Sequence, residues 1–126
     1  MRAALPNTPT LTGQPMKLLH DVHGDRVDVR IAGDLETDSC TCLENFWELR
    51  VAEHAVIDVE LSETDVVDGR GVAVFTTLVR DSLREGRHIT LRHAPQMVAH
   101  TLYKVGALDD ARLTLIEPRE EEPSAP

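Results

Sequence analysis

The stretch that most constrains this chain is Val56-Ile57-Asp58-Val59-Glu60-Leu61, followed after a short loop by Val66-Val67-Asp68-Gly69-Arg70-Gly71-Val72-Ala73-Val74-Phe75. The first run is short and apolar, the look of a core strand. The second reads as a turn and then the first turn of a helix. Asp68 is placed to cap that helix, because its carboxylate can accept amide hydrogens that the first helical turn leaves without partners. Gly69 and Gly71 keep the turn small, and Arg70 projects between them. A helix start mounted on a central strand is a good place for function. No catalytic constellation accompanies it, which points to binding rather than to chemistry.

Around this unit the chain reads as further strands and helices. Met16 to His20 is expected as a first strand, turned by His23-Gly24-Asp25 into Arg26-Val27-Asp28-Val29-Arg30-Ile31, where polar and apolar residues alternate. Gly33-Asp34-Leu35-Glu36 is expected to leave that strand, with Thr37 or Asp38 capping a helix. The apolar stripe of that helix is Cys40, Leu43, Phe46, Trp47 and Val51. Trp47 fits a core position better than a ligand platform. Ala55 to Leu61 is the next strand, with Asp58 either a strand-end carboxylate or a buried acid held by local donors. The helix capped by Asp68 runs to about Glu85 and stops at Gly86. It turns Val72, Phe75, Thr76, Val79 and Leu83 inward. His88 to Arg92 is a strand. Pro95 opens a third helix, with Met97, Val98, Leu102 and Val105 expected on its buried side. Gly106 ends it, with Leu108 in a capping contact. Ala111 to Ile116 is the last strand.

The fold class that follows is α/β, a mixed and mostly parallel sheet packed with helices in the order ββαβαβαβ. Residues 16–117 form the domain. Residues 1–15 carry Pro6, Pro9 and Pro15 and are expected as a disordered arm. Residues 118–126 carry Glu120 to Glu122 and are expected as a disordered acidic tail.

Charge and composition narrow the function. A formal net charge of -9 argues against nucleic acid and anionic membranes, and leaves room for a basic protein partner. Aromatics at 3% argue against base stacking and carbohydrate platforms. No run approaches the roughly 20 apolar residues of a membrane span, and no signal peptide is visible, so the expected location is cytoplasmic. Cys40 and Cys42 are spaced too closely for an easy disulfide and read as reduced thiols. His20, His23, His88, His93 and His100 show no metal-ligand spacing, and no cofactor is expected. Gly69-x-Gly71 is too short for a phosphate loop. The exposed edge of the opening hairpin could pair with a second copy as a homodimer.

Three stretches carry a resemblance to a known family. Gly33-Asp34-Leu35-Glu36 resembles Gly-Glu-Leu-Asp, Val56-Ile57-Asp58-Val59 resembles Val-Leu-Asp-Leu, and Val67 to Phe75 resembles Ile-Asp-Ser-Ser-Gly-Leu-Gly-Val-Leu. In order and spacing these are similar to the STAS domain, the fold of bacterial anti-sigma-factor antagonists. The resemblance implies a non-enzymatic regulatory module that binds an anti-sigma factor or GHKL-type kinase-like protein. Docking would use the helix start Asp68, Gly69, Arg70, Gly71 and Val72, with the neighbouring Asp34–Glu36 and Ser62–Asp65 loops. From those loops Asp34, Glu36, Ser62, Thr64 and Asp65 would take part.

In the family a kinase phosphorylates a Ser or Thr at the helix start. The matching position here is Arg70, which has no hydroxyl, and Gly69 matches the preceding Ser. A phosphoserine would bring about -1.5 to -2 charges, whereas Arg70 brings a positive one and mimics no phosphate. Ser62 and Thr64 are the alternative phosphorylation positions. Two other roles stay open. One is an accessory subunit binding the ATPase of an ABC-type phospholipid transporter. The other is a nucleotide or anion module using Arg70 and the amides of Gly71 and Val72.

Overall fold

The computed structural model describes residues 16–119. The arm expected over 1–15 and the acidic run from 120 onward lie outside the described residues. Six strands and three helices follow one another: β1 Lys17–His23, β2 Arg26–Leu35, α1 Cys40–Phe46, β3 Val56–Glu60, β4 Thr64–Val66, α2 Gly69–Arg84, β5 His88–Arg92, α3 Gln96–Lys104 and β6 Leu113–Ile116. The sheet runs β1-β2-β3-β5-β6, and β4 pairs with β2. The β1–β2 hairpin is antiparallel and every other pairing is parallel. This is the mixed, mostly parallel α/β fold that the sequence implies, with β1 as an open edge.

Alternation along the strands decides which face is covered. Val27, Val29 and Ile31 of β2, Ile57 and Val59 of β3, and Ile89 and Leu91 of β5 are fully buried in one cluster with Leu43, Phe75, Val79, Val98 and Leu102 of the helices. Their neighbours along the strands, Arg26, Asp28, Arg30, Glu60 and Arg92, lie on the opposite face, so the helices form a single layer. Trp47 is a core residue, edge-on to Phe75 with ring centroids 6.0 Å apart, and its Nε1–H donates to Ser82 Oγ at 3.0 Å.

Several expectations are corrected. β1 continues to His23, three residues beyond the expected end. Gly33, Asp34 and Leu35 do not leave the sheet, because they pair with β4, a strand absent from the sequence reading. The first helix is not regular: a 3-10 turn at Thr37–Ser39 leads into α1, and a wide π turn at Trp47–Val51 follows. Neither Thr37 nor Asp38 caps it; Glu36 and Ser39 form a reciprocal capping box. Met97 is 49% and Val105 42% exposed, so the buried side of α3 is Val98 and Leu102. The short α3 turns only a narrow stripe to the sheet. The last strand begins at Leu113 rather than Ala111.

Candidate functional site

β4 draws the two expected loops into one unit. Gly33, Asp34 and Leu35 pair in parallel with Thr64, Asp65 and Val66. The Gly33 amide donates to the Glu63 carbonyl at 2.9 Å, and the Val67 amide to the Leu35 carbonyl at 3.0 Å. The chain then enters α2 directly beneath the end of β2. Asp68 has extended backbone, and its Oδ1 accepts from the Gly71 amide at 2.9 Å, which is the expected N-cap. Its other oxygen accepts from the backbone and the hydroxyl of Thr37, at 3.0 and 2.9 Å. Hydrogen bonds from the Gly71 and then the Thr37 amide outweigh partial burial and hold the Asp68 carboxyl below its usual range. One carboxylate thus fastens α2 to the turn that precedes α1.

The two glycines beside Arg70 do different work. A Cβ on Gly71 would lie 2.7 Å from the Leu35 carbonyl carbon and 2.7 Å from the Glu36 nitrogen, so this glycine lets helix and strand backbones touch. A Cβ on Gly69 would meet nothing within 4 Å. Arg70 is exposed between them. Below it the Cys40 thiol donates to the Glu36 carbonyl at 3.4 Å, and burial pushes that thiol's pKa up, away from reactivity.

The ten residues expected at a docking surface divide by burial. Glu36, Ser62, Asp65, Asp68, Gly69 and Arg70 reach the surface wholly or in part. Asp34, Thr64, Gly71 and Val72 are buried. They shape the site from behind. The Thr64 hydroxyl donates to the Ile31 carbonyl with no exposure at all, so of the two alternative phosphorylation positions only Ser62 presents its hydroxyl. The anion-site reading also loses a donor: the Gly71 amide it requires is occupied by Asp68, whose negative charge stands where an anion would bind. Val67, 52% exposed, adds an apolar residue to the surface that the sequence reading passed over.

A second cluster lies at the same C-terminal end of the parallel strands, where ligands of open α/β sheets bind. Both ring nitrogens of His93 face carboxylates, Nδ1 to Glu60 at 2.7 Å and Nε2 to Glu117 at 3.1 Å. The hydrogen bond to Glu60, then that to Glu117, raises the His93 pKa. Burial works to raise Glu60, but hydrogen bonds from His93 and Ser62 outweigh it and leave that carboxyl low. Arg119, assigned by sequence to the free tail, is instead held against the domain. Its amide donates to the Ala94 carbonyl at 2.9 Å, and its guanidinium to the carbonyls of His93, Leu61 and Thr64. No local sequence pattern marks these contacts, because the partners lie far from Arg119 in the chain, at 61, 64, 93 and 94.

Among the described residues no cluster of three or more His, Cys, Asp or Glu could hold a metal ion, and no helix is long and apolar enough to cross a membrane.

Comparison with known proteins agrees with this geometry. A family model described as "Mlab, STAS domain" matches residues 19–117. An anti-sigma factor antagonist from Mycobacterium paratuberculosis shares the fold with a TM-score of 0.61 at 14% identity, over 79% of this chain and 86% of that one. The unphosphorylated form of the anti-sigma factor antagonist SpoIIAA is similar with a TM-score of 0.57 at 13% identity, over 80% and 87%. A sulfate transporter family protein from Wolinella succinogenes is similar with a TM-score of 0.55 at 15% identity, over 75% and 80%. No curated protein matches the chain by sequence. With a family match spanning most of its length and a fold shared with anti-sigma factor antagonists, this chain belongs to the STAS domain family.

Proposed function

We propose that the protein is a protein-interaction module of the anti-sigma-factor-antagonist type. It would dock an anti-sigma or GHKL-type kinase-like partner through the start of α2 and the β2–β4 ends beside it. The observation that carries this reading is Arg70, exposed on a start that Asp68 caps and Gly71 seats against β2. Where the family resemblance places a phosphorylatable hydroxyl, this chain presents a fixed cation. The module would then bind without the usual phosphoserine switch, its partner supplying a carboxylate or other acceptor for the guanidinium. Ser62 is the one alternative hydroxyl, exposed at the β3–β4 loop with its amide on the Glu60 carboxylate at 3.0 Å.

The test is affinity purification of the tagged full chain from its native cells, with intact-mass analysis of the same sample. A co-purifying GHKL-type kinase and an unmodified mass are the expected result, with Arg70→Ala weakening the complex about tenfold or more. A mass increased by one phosphoryl group at Ser62 would mean that the switch has moved. Undiminished binding by Arg70→Ala would remove the docking surface proposed here.

A second reading is an accessory role on an ABC transporter ATPase. It is supported by the family model's naming of Mlab and by the likeness to a sulfate transporter family protein. Co-purification of an ABC ATPase in place of a kinase would establish it.

A further inference from the structure

The start of α2 depends on a loop that leaves β3 and returns as β4, and that loop is fastened from an unexpected quarter. Among the described residues only two non-glycine residues have positive φ, His93 at 58° and Glu117 at 47°. Side chains rarely adopt that region, and such residues persist where surrounding contacts over-determine them. These two are in contact with each other, His93 Nε2 to Glu117 Oε1. Two residues on, Arg119 spreads its guanidinium over backbone carbonyls at both sides of the same gap: His93 after β5, and Leu61 and Thr64 at the two ends of the β3–β4 loop. The charged groups facing His93 are Glu60 from β3, Glu117 after β6 and Arg119. Arg92, beside it in the chain, is committed to Asp58.

We infer that Glu117–Arg119 is a strap, and that Arg119 is a positioning residue that sets the β3–β4 loop and, through β4, the start of α2. A planar guanidinium can serve several carbonyls at once, which no other side chain does as well. A backbone hydrogen bond from the Thr64 amide to the Leu61 carbonyl, at 3.0 Å, closes the loop, and Arg119 ties that closed turn to the chain that leaves β5 and β6. The carbonyl of Thr64 is one residue before Asp65 and four before the capping Asp68. The inference rests on the docking reading above only where it concerns a partner; the mechanical claim stands apart from it.

Hydrogen–deuterium exchange of the full chain tests it. In Arg119→Ala, amides over 61–67, together with the Gly71 and Thr37 amides held by Asp68, should exchange about tenfold faster, the loss expected for one net backbone-directed hydrogen bond to a charged donor. Amides of Val27 to Ile31 should keep their rates. Arg119→Lys keeps the charge but cannot span the three carbonyls, and should resemble Arg119→Ala. Unchanged exchange over 61–67 overturns the strap, and so does an even acceleration across the sheet, which would mark general destabilisation. With the co-purified partner in hand, Arg119→Ala should also weaken binding while Arg70 is intact. A loosened loop with unchanged exchange at the Gly71 and Thr37 amides overturns the positioning role. If instead Arg70→Ala binds as wild type while the exchange pattern holds, the docking reading falls and the strap remains.

Discussion

The two faces of the sheet are built on opposite principles. The covered face is apolar along the three central strands: Val27, Val29, Ile57, Val59, Ile89 and Leu91 lie in one cluster with Phe75 and Val79 at no more than 2% exposure. The open face carries charge at the alternate positions, yet it is not simply solvated. Asp58 is 8% exposed and accepts a two-pronged contact from Arg92, at 2.9 and 3.0 Å, with Arg26 at 3.3 Å. Arg26 in turn donates to Asp28 at 2.7 Å. A cleft of about 410 Å3 lies over these residues. The difference teaches that one alternation pattern can encode two kinds of order. Hydrophobic burial acts without direction and sets stability. Ion pairs on a half-open face fix which strand positions stand side by side, and contribute little energy where water competes.

The comparison is broken most directly on the covered face. Phe75→Ala removes a fully buried ring and should cost about 3–5 kcal/mol, read from urea unfolding with Trp47 fluorescence as the probe. Where that face ends, at the contact of α2 with β2, Gly71→Ala should cost about 1–3 kcal/mol through overpacking. Gly69→Ala, one step beyond the contact, should instead leave stability unchanged or raise it by about 0.5–1 kcal/mol. Asp58→Ala on the open face should cost only about 1 kcal/mol, because the two arginines it releases are half exposed and can return to water. A cost equal to that of Phe75→Ala would erase the distinction between the faces.

The smallest expected effect is in pH. His93 has its folded pKa raised above the ordinary 6.5, so its contribution is fully present below 6.5 and is lost as pH rises through the raised value. Glu60 has its folded pKa lowered from 4.5, so its contribution is present above 4.5 and is lost as pH falls through the lowered value. The strap should therefore be tightest between these limits and loosen on the alkaline side. Exchange over 61–67, corrected for its intrinsic pH dependence and measured below pH 6.5 and above the raised His93 value, checks this, and His93→Gln should flatten the dependence.

Much of the fold was legible because it rests on local signals. The alternation in Arg26 to Ile31, the cap at Asp68, the stop at Gly86 and the inward stripe of α2 each need only near neighbours in the chain. The misses share one cause. β4 is three residues long and exists by pairing with the end of β2, so its own residues carry too little pattern. Met97 and Val105 are apolar at helical spacing, but a helix of nine residues offers the sheet less width than that spacing suggests. At the candidate site, Asp68 and Gly71 were visible from turn chemistry. That Thr64 and Asp34 are buried was not, because their burial comes from strands distant in sequence.

The sequence alone determined the order of the elements other than β4, the inward side of the alternating strand β2, and the cap at Asp68 that opens α2. These follow from periodicity, capping and residue identity, which act over a few residues. Only the tertiary structure decided that Asp58 is an ion-paired acid, that Gly71 rather than Gly69 is the glycine the fold cannot enlarge, and that His93, Glu117 and Arg119 close over the β3–β4 loop. Each of these depends on which backbone or charge lies opposite, and that neighbour is brought there by the folding of the whole sheet.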